Sequence, residues 1–423
     1  YTGAASVNST VATVTVNAAG ESAIQLGTGG IQEPHNEGGS YVYDHVYFGS
    51  YAAAPVEWRV LDANNMNTGA SGMFLLSEYL LAFSTEDYRK FNDADSSGNA
   101  YQGSYMQNGI TNLVNSTNNF SPVEKGAMQA TTKTDSEYTS TDATPNTVFA
   151  ASTNILNGDK LFPLSAEETG ASAYFPTAAH RFGKFSGDGT NGAWWLRSPV
   201  NGDYTKAGIV QSADGYRSSV EVSNESAYMR PAWNLITGKV RFISSAVGGR
   251  AGDGTLTAVG TNTTNNWKLT LDDSANRANF AAGLYAGSSA TVAAGGKVKI
   301  DYSGAATGTK EYVSALLVST SSPNNLLYYG RIVNNSASGI AEITIPAALS
   351  AGSYTLKIFN EQYNGDKKTD YASAFFDVAL TVTSTATPTI TFTTNPANKT
   401  VTAGAITASD TLTAAASVTP SGT

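Results

Sequence analysis

No cysteine occurs in the chain, which excludes disulfides, thiolate chemistry and cysteine-ligated zinc. Charge is scarce as well. Only 14% of the 423 residues are Asp, Glu, Lys or Arg, against about a quarter in an average soluble protein, and Thr, Ser, Ala, Asn, Gly and Tyr take their place. That balance fits a secreted or cell-surface β-rich protein better than a cytosolic enzyme. Basic runs are missing and the formal charge is −9, which argues against nucleic acid as a partner and against adhesion to anionic lipid. No run of about 18 apolar residues offers a membrane span. Nucleophile elbows, Walker motifs and dinucleotide fingerprints are missing too. Tyr1 stands where an initiator methionine would, and the chain reads as an ectodomain whose signal peptide has been removed.

What is present is organised around two short blocks. Trp194-Trp195-Leu196-Arg197-Ser198-Pro199 is answered about thirty residues later by Arg230-Pro231-Ala232-Trp233, so that three of the five tryptophans sit beside an arginine or a proline. Large aromatics dominate the energetics of the core they enter. Extended backbone points Trp194 and Trp195 to opposite faces, which predicts one in the core and one bordering the surface. Arg197 and Arg230 have the donors to hold backbone carbonyls or carboxylates. With Trp58 these residues form a candidate frame: Trp58, Trp194, Trp195, Arg197, Arg230 and Trp233. Between the blocks, small, polar and tyrosine residues replace any strong core pattern, as in a binding loop on a rigid scaffold.

Local signals divide the chain. Residues 9–17 read as a strand, and Gly38-Gly39-Ser40 as a turn. Strands are predicted over Tyr41 to Gly49, with Tyr43, His45 and Tyr47 on one face, over Val56 to Asp62 and over Met73 to Ser77. Ser84, Ser121 and Ser165 each precede a carboxylate in a helix-capping pattern, and Met106, Ile110, Leu113 and Val114 predict an amphipathic helix over about 102–115. The first domain, 1–245, is therefore α+β. Val247 to Gly254 reads as linker, giving 246–254, and seven strands between Trp267 and Val382 predict an all-β immunoglobulin-like sandwich over 255–384. Asn364-Gly365 reads as the turn of its long last hairpin. Residues 385–423 form either a stalk or the start of a further repeat, and strand exchange with a neighbouring chain is a third reading.

The block series Val46-Tyr47-Phe48-Gly49, Val56-Glu57-Trp58-Arg59-Val60-Leu61, Leu75-Leu76-Ser77, Phe162-Pro163-Leu164-Ser165-Ala166-Glu167-Glu168, the Trp194 block and the Arg230 block resembles a bacterial surface family of unknown function. That family carries a C-type-lectin-like fold, related to formylglycine-generating enzymes and to retroelement variable proteins. The resemblance covers residues 41–240. The paired copper-binding cysteines of the formylglycine enzymes have no counterpart here, nor do the Glu-Pro-Asn or Gln-Pro-Asp loops of calcium-dependent lectins. In the variable proteins the ligand face lies between blocks like these two. Carried over, the resemblance implies a ligand face within Asn201, Asp203, Tyr204, Tyr216, Arg217, Ser218, Ser219 and Asn224, residue types that suit a paratope.

Three weaker constellations remain in the sequence. Asn92 to Asn99 spaces oxygen donors as a calcium loop does but lacks the downstream glutamate, so no cofactor is expected, with calcium the alternative. His35, His45 and His180 are far apart and outside metal motifs. Paired carboxylates such as Glu57 and Asp62, or Glu167 and Glu168, read equally as frame and helix-cap residues; a glycosidase would need two carboxylates facing one cleft at defined separation. The expectation is a non-catalytic adhesion protein whose partner is a protein or glycan on a host or neighbouring cell. A structural subunit of an extracellular fibre or surface layer, joined through terminal strands, is the alternative, and a carbohydrate-active enzyme the third.

Overall fold

The structure is a computed structural model that describes residues 24–26, 30–81, 89–250, 252–260, 262–384, 389–392 and 416–419, with backbone alone for 24–26, 322–325, 389–392 and 416–419. The strand predicted over residues 9–17 and the helix start at Ser84 lie outside the described residues. The rest is mostly β, arranged in several sheets.

In chain order the first half contains β1 (Ile24–Leu26), β2 (His45–Tyr51), β3 (Ala54–Asp62), β4 (Met73–Ser77), α1 (Tyr105–Asn115), α2 (Pro122–Ala127), α3 (Ala166–Gly170), β5 (Asn191–Pro199), β6 (Lys206–Val210), β7 (Arg217–Glu221), β8 (Pro231–Leu235) and β9 (Val240–Ser245). All three helices are capped by serine. Ser104 accepts from the Gln107 amide, and α2 and α3 have reciprocal capping boxes in which Ser121 pairs with Glu124 and Ser165 with Glu168. Each box satisfies two amide donors that a helix start leaves open. Met106, Ile110, Leu113 and Val114 form the buried stripe of α1, at the spacing that puts them on one face.

The strand predicted from Tyr41 to Gly49 is broken. Ser40–Val42 closes a hairpin on His35–Glu37 through Gly38 and Gly39, and β2 begins afresh at His45. Asp44 sits between them, buried, accepting from the Gln32 amide at 2.9 Å and from the Trp267 indole at 2.8 Å. A buried carboxylate is costly unless hydrogen-bonded, and reaching these donors turns the chain out of the ladder. At the other end of β2, Gly49 adopts φ +68° at an irregularity in the register, where a Cβ would collide with the Phe120 ring. Only glycine fits that bend.

The second half supplies β10 (Asn266–Asp272), β11 (Lys297–Ser303), β12 (Glu311–Ser319), β13 (Ser322–Asn334), β14 (Gly339–Thr344), β15 (Gly352–Gln362), β16 (Asp370–Ala372) and β17 (Phe376–Thr383), so all seven predicted strands form. Strict alternation of buried and exposed residues along β11 and β17 gives each one apolar face. β11 and β14 belong to a three-stranded sheet, and β12, β13, β15 and β17 to a larger one. Val298, Ile300, Ala315, Leu317, Leu356 and Leu380 fill a core from both. The last hairpin turns at Asp366 and Lys367, with Lys367 left-handed at φ 56°, rather than at Asn364-Gly365. Asn364 is held back by its own bonds to Asp370 and to the Thr369 carbonyl.

The two halves are not independent. One 15-stranded sheet runs through both, with the order β8, β4, β3, β2, β10, β9, β1, β13, β12, β15, β17 along its main path. β10 pairs in parallel with β2, Asn266 opposite His45, and antiparallel with β9. Trp267, Leu269 and Leu271 are buried in the first core, together with Trp58 and Trp233. The segment expected to be a linker is also anchored. Arg250 is buried, ion-paired with Glu361 and Asp370, and stacked 4.5 Å over the Phe242 ring.

Candidate functional site

All six frame residues are fully buried. Trp194 and Trp195 do point to opposite faces of β5, yet neither borders the surface, because both faces are covered. The Arg230 guanidinium lies 5.2 Å from the Trp194 ring, and Phe91 lies 5.6 Å from Trp195. The indoles donate to the carbonyls of Arg181 at 3.0 Å and Arg89 at 2.6 Å, and Trp58 donates to Phe48 at 2.7 Å. Trp233 packs against Phe48 and Trp58.

The arginines do different work. Arg197 forks between two carboxylates, with Asp135 and Glu168 each taking two bonds at 2.8 Å, and its fifth bond goes to the Pro163 carbonyl at 2.8 Å. Glu168 also accepts from Lys133 at 2.6 Å. Burial pushes the Glu168 pKa up, but the charges of Arg197 and then Lys133, with their hydrogen bonds, outweigh it and hold the carboxyl well below its usual range. Among the described residues Arg230 bonds only to backbone, to the carbonyls of Ser77, Glu78, Arg181 and Phe182, and so ties β4 to the segment preceding β5.

On this frame rests the hairpin β6–β7. β5 pairs with β6, Trp195 opposite Ile209, and β6 pairs with β7 from Lys206 opposite Glu221 to Val210 opposite Arg217. The candidate ligand residues separate into two groups along it, roughly 13 Å apart at the rise of a strand. At one end are Asn201, Asp203, Tyr204 and Asn224. Asp203 and Asn224 close local turns by accepting from Thr205 and Ser226, Asn201 donates to Glu137 at 3.0 Å, and Tyr204 is 66% exposed. At the other end Tyr216 is 38% exposed. Ser218 and Ser219 lie between, half-buried on β7.

Arg217 does not face outward as the resemblance implies. It is buried, its Nε and Nη2 bond Asp142 at 2.6 and 2.8 Å, and its Nη1 donates to the Tyr138 hydroxyl. A guanidinium whose donors are spent on a carboxylate and a phenol is a strut, not a ligand group. Asp142 takes Arg181 as well, at 3.1 Å, and Arg181 donates to the Gly215 carbonyl at 2.8 Å. The tip closes over this clamp because Gly215 has φ +72° and a Cβ there would strike the Ala178 carbonyl.

Asp142 is thus the keystone, and no local signal marks it. Burial raises its pKa, but the hydrogen bonds and charge of Arg217, followed by the Arg181 charge, bring it down to about 2. A depressed carboxyl contributes stability above its unfolded pKa and loses it as pH falls through the folded one. Order in the hairpin is therefore expected to fall between about pH 4 and pH 2. Asp142→Asn should remove that dependence and loosen the tip at neutral pH, measured as faster amide exchange of residues 211–217.

The remaining constellations are structural. Asn92 accepts from the Tyr105 amide, Asp93 from the Ser97 hydroxyl, and Asp95 from the Ser223 amide, so the calcium-like loop closes on the chain itself. Asn99 donates to the carbonyls of Val200, Asp203 and Lys206 and holds the base of the candidate loop. His45 stands between Glu78 at 3.1 Å and Glu57 at 3.9 Å. Glu78 gives both oxygens to Arg59 at 2.7 Å. Burial would raise its pKa, but the Arg59 charge overrides this and keeps it ionised, so it has no proton to give. Asp62 caps the amides of Asn64 and Asn65, and exposed Glu167 lies apart from buried Glu168. Glu57 lines a surface pocket whose wall does not include Asp62.

Residues 70–237 match the model of a family described as a domain of unknown function (DUF6273). The match contains β4 to β8, and with them the hairpin and most of the frame, but neither β2 and β3 nor β10. No curated protein matches the chain.

Proposed function

We propose that the chain is a non-catalytic surface or secreted binding protein that presents the β6–β7 hairpin to a protein or glycan on a host or neighbouring cell. In this reading the first module is C-type-lectin-like and the second is an immunoglobulin-like spacer. The observation that carries it is the contrast between Tyr204 and Tyr216, exposed at the two ends of the hairpin, and the fully buried tryptophan and arginine frame beneath them. Exposed aromatics on a rigid support lose little entropy on binding.

The test is capture of mucin glycoproteins and of neighbouring-cell surface extract by the full chain and by Tyr204→Ala/Tyr216→Ala. Tyrosines at interface centres often contribute about 2 kcal/mol or more, so the double variant should lose well over ten-fold in affinity. Its melting temperature should stay within a few degrees, since neither ring is in the core. Equal capture by both proteins sinks the hairpin as the binding face.

A further inference from the structure

We propose that the cleft between the two modules is a second binding site, for an acidic saccharide: a sugar carrying a carboxylate or a sulfate. The cleft has a volume of 580 Å³, within the range of about 300–1,000 Å³ typical of small-ligand sites. The first module contributes the loop Thr117 to Asn119 and the bend at Gly49 and Ser50. The second contributes Lys310 and the segment from Gln362 to Tyr371. Tyr371 fixes the gap by donating across it to the Ser121 hydroxyl at 2.8 Å.

Its wall suits a polyhydroxylated ligand. Four carboxamides line it, Asn118, Asn119, Gln362 and Asn364; Asn119 and Asn364 each spend a donor on a carbonyl of the chain, of Leu113 and Thr369, but an amide offers two donors and an acceptor. The Asn118 side chain is exposed and has no partner among the described residues, while Gln362 spends one donor on Asn364 at 3.1 Å. Thr369 supplies a further sign. It lines the cleft, is only 3% exposed, and its Oγ1 has no hydrogen-bond partner among the described residues. A buried hydroxyl left unpaired costs stability, and this one belongs to a residue of the cleft wall.

Charge selects the ligand further. Lys310 and Lys368 stand exposed on the wall, and neither forms an ion pair among the described residues. The one carboxylate on the described wall is Glu124. Its two oxygens accept from the amides of Gly49 at 3.1 Å and Ser121 at 2.8 Å, and it forms an ion pair with neither lysine among the described residues, so the described wall sets two lysines against one carboxylate. In a chain of net charge −9, two unpaired cations beside four amides select one acidic group on a hydroxyl-rich molecule. Two lysines are far too few for a nucleic-acid track.

The experiment titrates the full chain by calorimetry with sialyllactose, a sulfated lactose, plain lactose and inorganic sulfate. It repeats the series with Lys310→Gln/Lys368→Gln and with Tyr204→Ala/Tyr216→Ala. One or both acidic sugars should bind about ten-fold more tightly than lactose, the worth of a charge-assisted hydrogen bond, and more tightly than sulfate. The lysine variant should lose that advantage and its salt dependence while melting as the parent does, and the tyrosine variant should keep both. Sialyllactose alone, sulfated lactose alone, or both binding distinguishes the carboxylate from the sulfate source. The proposal is overturned if no probe binds, if sulfate binds as well as the sugars, if lactose equals them, or if the lysine variant is unchanged. Loss in the tyrosine variant alone would assign the sugar to the hairpin. The site is separate from that face, so failure of either reading leaves the other standing.

Discussion

A chain ending at Ser245 is expected not to fold, whereas one ending at Ser384 melts cooperatively. Ser245 closes the first module by every local criterion. Yet β10 lies between β2 and β9 in the sheet, and cutting before it leaves two central strands with unpaired edges. Exposed, unpaired edges template aggregation. The cut also removes the buried side chains of Trp267, Leu269 and Leu271, together worth about 7–15 kcal/mol by large-to-small substitution costs. Whole domains are stable by only about 5–15 kcal/mol. Asp44 loses the Trp267 indole at the same time. The outcome to measure is the soluble fraction, the near-ultraviolet circular dichroism and the thermal transition of the two fragments. A sharp transition in the shorter one, close to that of the longer, would show that β10 is an accessory strand rather than part of the core.

Arg197→Ala should destabilise the chain by about 3–5 kcal/mol, the cost of leaving buried charges without their partner. Asp135 and Glu168 are both buried beneath it, and among the described residues Lys133 is the one cation left to Glu168, beside the Asn67 side chain and the Ser165 amide. Arg197→Lys should recover part of the loss at most, since one ammonium does not span two carboxylates as the planar fork does. A triple change, Arg197→Met with Asp135→Asn and Glu168→Gln, removes the charges together and should be milder than the single alanine variant, because a desolvated ion pair often does little better than apolar packing. The pH dependence gives an independent reading. Glu168 is depressed in the folded state, so its contribution is complete above the ordinary glutamate pKa of about 4.3 and drains away as pH falls further. In Arg197→Ala the opposing rise from burial takes over and that slope should flatten. Urea midpoints between neutral pH and about pH 3 test this; an unchanged slope would mean that Lys133 alone holds Glu168.

Much of the fold was legible in short stretches. The capping boxes at Ser121 and Ser165, the buried stripe of α1 and the seven strands after residue 266 follow from signals within a few residues of each other, since caps and periodicity are local physics. The tryptophans and arginines of the frame were legible as residue types too expensive to leave without partners. The partners themselves were not. Asp135, Asp142 and Glu168 reach their arginines across 62, 75 and 29 residues; nothing in the immediate sequence of Asp135 or Asp142 separates them from surface carboxylates, and the capping pattern at Ser165 marks Glu168 as a helix cap without revealing its arginine. Arg217 was misplaced for the same reason, because a polar residue in a polar loop carries no mark of the distant carboxylate that turns it inward.

The sequence by itself determined that the chemistry here involves neither thiols nor disulfides, that the chain is β-rich, and which tryptophans and arginines anchor it. Tertiary structure decided that both faces of β5 are covered, that β10 belongs to the core ahead of it, and that the hairpin tyrosines stand at opposite ends of one rigid support. It also created the polar cleft, whose lysines and amides come from segments almost 200 residues apart. The division has a physical cause. Backbone propensity and side-chain type act over one or two turns, whereas burial and ion pairing depend on which distant surfaces the folded chain brings together.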